Sequence, residues 1–240
     1  MASAPLISIA QRLRDELATI RRGGAVRHVY NPLVYAWAPH RAYLDRFGRG
    51  ERDVLIVGMN AGYFGMTQTG VPFGDVVMVR DWLGIEGRVP RPSDEHPKRP
   101  IEGFACRRRE VSGQRLWGWA RDAFGTPERF FARFFVVNYC PLCFLGETGA
   151  NLALDKLPAA SRTRLVEACD RALHAAAIAL NVRYVVGLGH FAARRAAAVL
   201  GTEVVCGGAP HPSPANASIG PHWAREMERA LAAMGIDVRG

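Results

Sequence analysis

The sequence predicts an α/β protein built on a parallel sheet, and three observations support this. Four short apolar segments, rich in aliphatic and β-branched residues, recur at 54–57, 134–138, 183–186 and 203–206. Helical patterns separate them, as expected of parallel strands joined by right-handed crossovers. The chain of 240 residues is long enough for one well-buried core. We therefore expect one domain over 1–240, with helices on both faces of a four-stranded sheet.

Helical patterns account for the segments around these strands. Apolar residues recur every three or four positions, as in a helix with one buried face. The predicted helices span 5–22 (within an N-terminal region 1–28), 75–83, 116–124, 162–180, 189–200 and 226–234. Trp117 and Trp119 are expected in the core. The aromatic segment 28–48 is punctuated by proline and predicts core and turns.

The charge of the chain suggests a polyanionic partner. Lysine and arginine number 31 against 22 aspartates and glutamates, which gives a net charge of +9 and an isoelectric point near 9.9. Cations concentrate in residues 84–112, the basic region, which is irregular and proline-rich, and so long a loop is usually functional or mobile. Its cations could follow a phosphate backbone or simply face solvent, and the sequence favours neither interpretation. The cations are Arg88, Arg91, Lys98, Arg99, Arg107, Arg108 and Arg109.

The sequence disfavours secreted, membrane and metal-dependent proteins. Polar residues interrupt the first apolar run, so it does not resemble a signal peptide, and no stretch approaches transmembrane length. The five cysteines are an odd number in a sequence without a secretion signal, which favours free thiols in a reducing cytoplasm. Cys140 and Cys143 form a C-x-x-C, which is either half of a metal or iron–sulfur site or a pair of buried thiols. Apolar flanks and the lack of a second pair favour thiols, so we expect no metal and no cofactor.

The segment 54–83 holds the most informative pattern. Gly58 closes a buried strand, and a glycine-rich loop follows, with Asn60 at its start, before Phe73 opens a helical pattern. Glycine lets a backbone approach a ligand, and open α/β sheets bind ligands at the carboxyl ends of their strands. Walker and G-x-G-x-x-G spacings are missing, so nucleotide binding is weakly supported. By spacing alone, a tight loop whose amide satisfies its own backbone is as good an interpretation as a ligand site.

Two more polar residues follow predicted strand ends. Asn138 ends the second strand before a turn that contains proline, and His211 follows the fourth strand in a proline-rich loop. Taken singly, the asparagine is an ordinary turn former and the histidine an ordinary surface residue. Because parallel strands end at one edge of a sheet, we expect Asn60, Asn138 and His211 to meet in a single pocket.

Several stretches of the sequence resemble one known family. They are GMNAGYFGM with TQTGVPFG, YNPLVYAWAPHR, NYCPL and HPSP, spread from about residue 29 to about residue 223. The pattern resembles the single-strand-selective monofunctional uracil-DNA glycosylases, whose first motif reads G-M-N-P-G-P-F-G-M and A-Q-T-G-V-P-F-G. Ala61, Tyr63 and Thr67 depart from it. The resemblance implies a uracil-DNA-glycosylase-like three-layer sandwich, with a central four-stranded parallel sheet flanked by helices.

The resemblance also implies an activity and roles for single residues. The family hydrolyses the N-glycosidic bond of uracil in DNA and also removes oxidised uracils such as 5-hydroxymethyluracil. Asn60 is then expected to hold the attacking water, and His211 to stabilise the uracil anion. Phe73 is expected to stack on the flipped base, and Asn138 to read its edge. The implied substrate-binding residues are Met59, Gly62, Tyr63, Phe73 and Asn138.

The loop after His211 resembles the family's DNA-entering loop, which reads H-P-S-P-R-N where this chain has HPSPAN. Ala215 replaces the arginine and can neither fill a gap in the duplex nor meet a phosphate. Ile219 is a candidate apolar wedge. We therefore expect uracil in single strands or mismatches to be preferred over a matched A·U pair. The implied DNA-binding residues are Ser213, Pro214, Ala215, Asn216 and Ile219.

DNA is the expected partner, either single-stranded or as a uracil-containing duplex, and no membrane is expected. We expect a monomer in a bacterial-type cytoplasm, with chromosomal DNA. Two functions from other classes stay open. One is a non-catalytic nucleic-acid-binding protein that keeps this fold. The other is a small-molecule α/β enzyme that binds a phosphorylated ligand at 58–65.

Overall fold

A four-stranded parallel sheet lies at the centre of the molecule. The computed structural model describes residues 5–214 and 219–238. The parallel sheet has the strand order β3-β2-β6-β7, and a smaller antiparallel sheet has the order β1-β4-β5. The strands are β1 His28–Tyr30, β2 Val54–Asn60, β3 Phe134–Cys140, β4 Cys143–Leu145, β5 Asn151–Leu152, β6 Tyr184–Leu188 and β7 Val205–Ala209. The helices are α1 Pro5–Leu17, α2 Pro32–Tyr35, α3 Trp37–Phe47, α4 Met66–Thr69, α5 Val111–Phe124, α6 Pro127–Phe131, α7 Ala159–Ala179, α8 His190–Leu200 and α9 Trp223–Ala233. The predicted α/β class and its four parallel strands are confirmed.

The parallel strands extend further than the sequence predicted. β2 runs on through Gly58 to Asn60, because Gly58 pairs with Asn138 of β3 instead of starting a turn. The fourth strand, predicted at 203–206, lies at Val205–Ala209. Its two glycines, expected to end the strand, lie inside it and pair with β6. A local preference for turns is therefore overridden by packing from distant elements.

The two glycines of β7 also show that helices cover both faces of the sheet. Neighbouring residues of a strand point to opposite faces. A Cβ on Gly207 would overlap Met234 at the end of α9, and a Cβ on Gly208 would lie 3.0 Å from the Cβ of Ala193 in α8. The helices α8 and α9 therefore lie on opposite faces, each too close to β7 for a side chain. The prediction of helices on both faces is confirmed.

The segment 28–48, predicted as core and turns, contains regular elements that the sequence did not reveal. It forms β1, α2 and α3. The side chain of Asn31 caps α2 by accepting a hydrogen bond from the Leu33 amide, and Pro32 occupies the first helical position. The aromatic side chains do belong to the core, since Tyr43 is fully buried and donates to the Val136 carbonyl oxygen (2.8 Å).

Two predicted helices differ from the structure in extent or type. The first, predicted over 5–22, ends at Leu17. The second, predicted over 75–83, is helical over 76–82, but its hydrogen bonds are of the π type at Met78–Trp82. Asp75 caps the start of this segment, because its side chain accepts a bond from the Met78 amide (3.2 Å).

The basic region is irregular, as predicted, apart from a short 3₁₀ turn at Gly103–Ala105, and its residues 111–112 already belong to α5. Polar side chains from the rest of the molecule hold its backbone in place. These bonds join Tyr30 Oη to Arg99 O (2.6 Å), Tyr63 Oη to Pro100 O (2.6 Å), Glu102 N to Gln68 Oε1 (2.8 Å), Gly103 N to Gln68 Oε1 (3.0 Å) and Glu110 N to Asp75 Oδ2 (3.0 Å). Most of its cationic side chains stay exposed.

The longest helix is α7, with 21 residues, and it carries charged side chains along its length. Across residues 5–214 and 219–238, no helix combines the length and the apolar character needed to cross a membrane.

Candidate active site

Polar side chains meet at the carboxyl edge of the parallel sheet. Asn60 is the last residue of β2, Asn138 lies near the end of β3, and His211 follows β7 by two residues. Phe73 reaches the same place from the loop after β2, with its ring centroid 6.3 Å from that of His211. The structure thus brings together the residues that the strand-end pattern predicted, at the edge where such sheets bind ligands.

Gly58 lies against both Phe73 and Asn138, the two residues expected to hold the base. A Cβ on Gly58 would lie 2.5 Å from Asn138 Oδ1 and 2.6 Å from Phe73 Cζ. Any side chain at this position would displace both groups, so glycine allows the ring and the amide to lie directly against β2. An apolar ring face and a hydrogen-bonding amide therefore border the same small space.

The backbone of Phe73 is left-handed, with a φ of 51°. This conformation costs about 1–3 kcal/mol in a residue other than glycine, and such strain clusters at functional sites. The Phe73 carbonyl oxygen accepts hydrogen bonds from Trp117 Nε1 (2.9 Å) and from the Asp75 amide (2.9 Å). The sequence suggested that Phe73 opens a helix, and the structure shows that it does not. It sits in a strained turn whose direction is fixed by a buried tryptophan.

The imidazole of His211 is held as a neutral hydrogen-bond donor. Its Nδ1 accepts from the Ser213 amide (3.1 Å), so Nδ1 carries no proton in that bond. Burial lowers the pKa of His211 from its ordinary value of 6.5, which favours the uncharged ring at neutral pH. The single proton of the neutral ring is then on Nε2. His211 can offer one N–H without carrying a charge.

The two amides of the site make few competing bonds. Asn60 Nδ2 donates to the carbonyl oxygen of the next residue, Ala61 (3.3 Å). Asn138 Nδ2 points at Met66 Sδ (3.2 Å), and a thioether sulfur is a weak acceptor. Met66 is buried, and only its place within the GMNAGYFGM stretch hinted at a role. Both amides can therefore turn their hydrogen-bonding atoms toward a ligand at low cost.

The other predicted substrate-binding residues are placed less directly. Strand alternation puts the Met59 side chain on the face opposite Gly58 and Asn60, so Met59 offers the site its backbone alone. Tyr63 is buried, and its ring lies beneath the Arg99 guanidinium (5.2 Å), turned toward the basic region. Gly62 lies two residues beyond the end of β2. The substrate-binding roles of Met59, Gly62 and Tyr63 stay predictions.

The loop after His211 is described in part. Ser213 and Pro214 lie directly beyond the histidine, whereas Ala215 and Asn216 lie outside the described residues, and so does the prediction that rests on them. Ile219 is half-buried and packs against the core. A wedge role for Ile219 would require that contact to open, and it stays a prediction.

Glu110 borders the glycine loop and was not found from the sequence. Its carboxyl group fills the space where Gly62 and Gly65 would carry a Cβ, and it also lies beside Gly113. The oxygen Oε2 is buried and has no hydrogen-bond partner within the described chain, although the side chain as a whole is half-buried. Burial, and then the nearby charge of Asp75, raise the pKa of Glu110 to about 8. The three residues before it in the sequence are arginines, which gave no hint of a buried acid.

We expect Glu110→Gln to change how stability depends on pH. The folded protein keeps the Glu110 proton up to about pH 8, whereas the unfolded chain releases it near the ordinary pKa of 4.5. Between these values the unfolding free energy of the wild type should fall as pH rises. Glutamine has the same shape and no proton to lose. It should therefore gain on the order of 1–3 kcal/mol over the wild type between pH 5 and pH 9.

Urea unfolding at several pH values measures this difference. Glu167→Gln, which removes an exposed carboxylate from α7, is the matched control and should track the wild type. Parallel pH curves for Glu110→Gln and the wild type would show that the Glu110 proton does not contribute to stability.

The cysteines of the C-x-x-C are buried thiols, which confirms the favoured interpretation. Cys140 and Cys143 are both free and fully buried, and Cys143 Sγ lies 3.1 Å from Asn151 Oδ1. Burial raises the pKa of Cys143 to about 12. In the described parts of the chain, no three His, Cys, Asp or Glu side chains are grouped to hold a metal ion.

Comparisons with known proteins agree with this arrangement. A family model for the uracil DNA glycosylase superfamily matches residues 46–233. The single-strand selective monofunctional uracil DNA glycosylase of Bos taurus is 47% identical over 228 residues, which cover 94% of this chain and 84% of that protein. The protein of the same name from Mus musculus is also 47% identical over 228 residues, covering 94% of this chain and 82% of that one.

A solved structure shares the fold at much lower identity. The crystal structure of wild-type SMUG2 from Pedobacter heparinus superposes with a TM-score of 0.62 at 17% identity, and the match covers 95% of this chain and 98% of that one. At this identity the likeness shows the arrangement of strands and helices alone.

Proposed function

The chain belongs to the uracil DNA glycosylase superfamily and, within it, to the single-strand selective monofunctional uracil-DNA glycosylases, and on that premise we propose that it hydrolyses the N-glycosidic bond of uracil in DNA and leaves an abasic site. The observation that carries the proposal is the convergence of Asn60, Phe73, Asn138 and His211 at one edge of the parallel sheet. The reaction needs three things: a flipped base, a stabilised uracil anion and a positioned water.

Phe73 and Asn138 suit the binding of the flipped base. A base that leaves the stack loses a few kcal/mol, and stacking on an aromatic ring offsets part of that cost. The strained but anchored turn of Phe73 presents a fixed ring for this purpose. The Asn138 amide can accept from uracil N3–H and donate to O4. Cytosine offers the opposite pattern and would leave both groups unpaired, a penalty of about 1–3 kcal/mol for each buried group.

His211 suits the departure of the base. Negative charge grows on uracil O2 only as the glycosidic bond breaks, so a donor aimed at O2 stabilises the transition state more than the bound substrate. The Ser213 bond leaves His211 with its proton on Nε2, ready to donate. A neutral donor avoids the desolvation cost of a buried imidazolium.

Asn60 suits the positioning of water. An amide oxygen can accept a hydrogen bond from water, but an amide cannot remove a proton as a carboxylate can. The reaction is therefore expected to be largely dissociative, with a sugar cation that needs a positioned nucleophile and no strong base. The chain has two lysines, Lys98 and Lys156, and neither lies at the carboxyl ends of the parallel strands. This supports hydrolysis without a Schiff base, so we expect no abasic-site lyase activity.

DNA itself is the expected macromolecular partner, both as single strands and as uracil-containing duplex. The exposed cations of the basic region suit contact with phosphates. A monomeric state and a bacterial-type cytoplasm with chromosomal DNA both stay predictions. The two relatives at 47% identity come from mammals.

A labelled oligonucleotide with a single uracil tests the proposal. After incubation with the protein, alkali should cut the strand at the uracil position, and without alkali the strand should stay intact. The same oligonucleotide with cytosine in place of uracil should remain whole. Binding without a product would favour a non-catalytic nucleic-acid-binding protein. Failure both to bind and to cut would favour a small-molecule enzyme.

Tyr63 leads to a prediction about lesion range. It stands where the family pattern has proline, close to where a C5 substituent of uracil is expected, and its hydroxyl is tied to Pro100 (2.6 Å). A buried, anchored ring cannot easily move aside. We expect the wild type to release 5-hydroxymethyluracil about tenfold more slowly than uracil, or slower still.

Single-turnover rates on the two bases measure this preference. Tyr63→Ala should bring the rates closer together, whereas Tyr63→Phe keeps the ring, loses the Pro100 bond and should preserve the preference. Equal wild-type rates on the two bases would contradict a steric role for this ring.

A further inference from the structure

Arg115 of α5 holds the segment that carries His211. Its Nη1 donates to two backbone oxygens, those of Pro212 (2.9 Å) and Ser213 (3.0 Å). Hydrogen bonds from a charged donor are about twice as strong as those between neutral groups. The guanidinium also lies against Gly220, where a Cβ would be 2.6 Å from Nη2. Neither the sequence pattern nor the family resemblance pointed to this residue.

A single peptide unit links Arg115 to the imidazole. The Pro212 carbonyl and the Ser213 amide belong to the same planar peptide group, so the direction of one fixes the direction of the other. The carbonyl accepts from Arg115, and the amide donates to His211 Nδ1 (3.1 Å). A charged donor on the carbonyl also polarises the peptide and strengthens its N–H as a donor. Arg115 therefore favours the bond that keeps the proton off Nδ1.

We propose that Arg115 is a positioning residue for base release, which acts through the Pro212–Ser213 peptide to hold His211 in its orientation and in its Nε2-protonated tautomer. The inference rests on the proposed function, because the tautomer matters through donation to the leaving base. A partner that fixes the tautomer of a reacting histidine is a general device of enzymes. Here a cationic side chain does so through the main chain.

The loop has a second anchor that does not depend on Arg115. Trp223 Nε1 donates to the Pro210 carbonyl oxygen (2.7 Å), one residue before His211, and Trp223 is buried. Loss of Arg115 should therefore leave the main chain attached on the strand side and free the peptide after the histidine. The expected defect is in the chemistry and spares the fold.

Arg115→Met tests the inference, because it keeps the length of the side chain and removes the donors. We expect the single-turnover rate of uracil release from a single-stranded oligonucleotide to fall by about ten- to a hundredfold, with unchanged affinity for the DNA. If Arg115 acts through His211, Arg115→Met should have little further effect in a His211→Ala background. Arg115→Lys, which keeps a charged donor without the fork, should recover part of the rate.

The matched control is Arg121→Met on the same helix, since Arg121 is exposed and pairs with the adjacent Asp122. It removes the same charge and should leave the rate unchanged. Full additivity of Arg115→Met with His211→Ala would overturn the inference. Lower DNA affinity with a shallower salt dependence and an unchanged rate would also overturn it, by making Arg115 a phosphate contact.

A spectroscopic measurement separates this inference from the proposed function. The ¹⁵N shifts of the His211 ring report which nitrogen carries the proton, whether or not uracil is a substrate. The wild type should show the Nε2–H form, and Arg115→Met a mixture of tautomers. A wild type that releases no uracil would refute the proposed function, whereas an unaltered tautomer in Arg115→Met would refute the role of Arg115.

Discussion

Replacing His211 with alanine should lower the rate of uracil release by about a hundredfold to a thousandfold, the usual effect of removing one preorganised donor from a developing anion. The donor is prepared in advance: the Ser213 amide occupies Nδ1, and burial lowers the pKa of the ring. The neutral ring should also persist somewhat below pH 6.5, so the wild-type rate should not fall as pH drops from 7.5 to 6.5.

Single-turnover kinetics on a uracil oligonucleotide measure the loss. The affinity for DNA should be retained, since the missing interaction is made mainly in the transition state. His222→Ala, which removes an exposed histidine just before α9, is the matched control and should behave as the wild type. A His211→Ala rate within a few-fold of the wild type would remove this residue from the catalytic assignment.

Asn60→Ala should cost on the order of a hundredfold in the same rate, for a different reason. A water held by one amide is a nucleophile already in place, and misplacing a reacting group by about 1 Å can cost a hundredfold. Asn60 is the last residue of β2, so its backbone is fixed by pairing with Cys140 of β3. Alanine keeps that backbone and removes only the amide, so DNA affinity and thermal stability should be unchanged.

The relative sizes of the losses in Asn60→Ala and His211→Ala should report on the mechanism. His211 is expected to act on the leaving base and Asn60 on the incoming water, on opposite sides of the sugar. In a dissociative reaction bond breaking comes first, and a positioned water raises the rate by trapping the sugar cation before the uracil anion recombines with it. The Asn60→Ala variant should therefore retain more activity than the His211→Ala variant, which is impaired in bond breaking itself. A larger loss for Asn60→Ala would indicate that water attack helps to break the bond, which would contradict a dissociative mechanism.

The fold was predictable because its signals are local. Apolar runs alternating with helical patterns require a covered parallel sheet, and parallel strands end at one edge, so the sequence was enough to place Asn60 and Asn138 together. Gly207 and Gly208 misled the prediction, since glycine is locally a turn former. Their place inside β7 follows from α8 and α9, which press on the strand from both sides.

The supporting residues of the site were not predictable, because their roles depend on contacts between distant segments. Glu110 follows three arginines in the sequence and yet lies against the glycines after β2. Arg115 is an ordinary polar residue of an amphipathic helix until the chain folds and brings the Pro212 carbonyl to its side chain. The left-handed turn at Phe73 is likewise held by Trp117, which lies far along the chain in α5.

The basic region is hydrogen-bonded to the segment after β2, which borders the expected base pocket. Tyr63 and Gln68, which follow Asn60 closely in the chain, both bind its main chain. A flexible arm that became ordered on DNA would lose about 1–2 kcal/mol of backbone conformational entropy for each residue fixed. In this protein that loss occurs when the chain folds. We therefore expect DNA to be captured by a preformed surface. If the basic region contacts phosphates as proposed, those contacts and the pocket keep a constant spacing, which would set how far along the strand the base must lie.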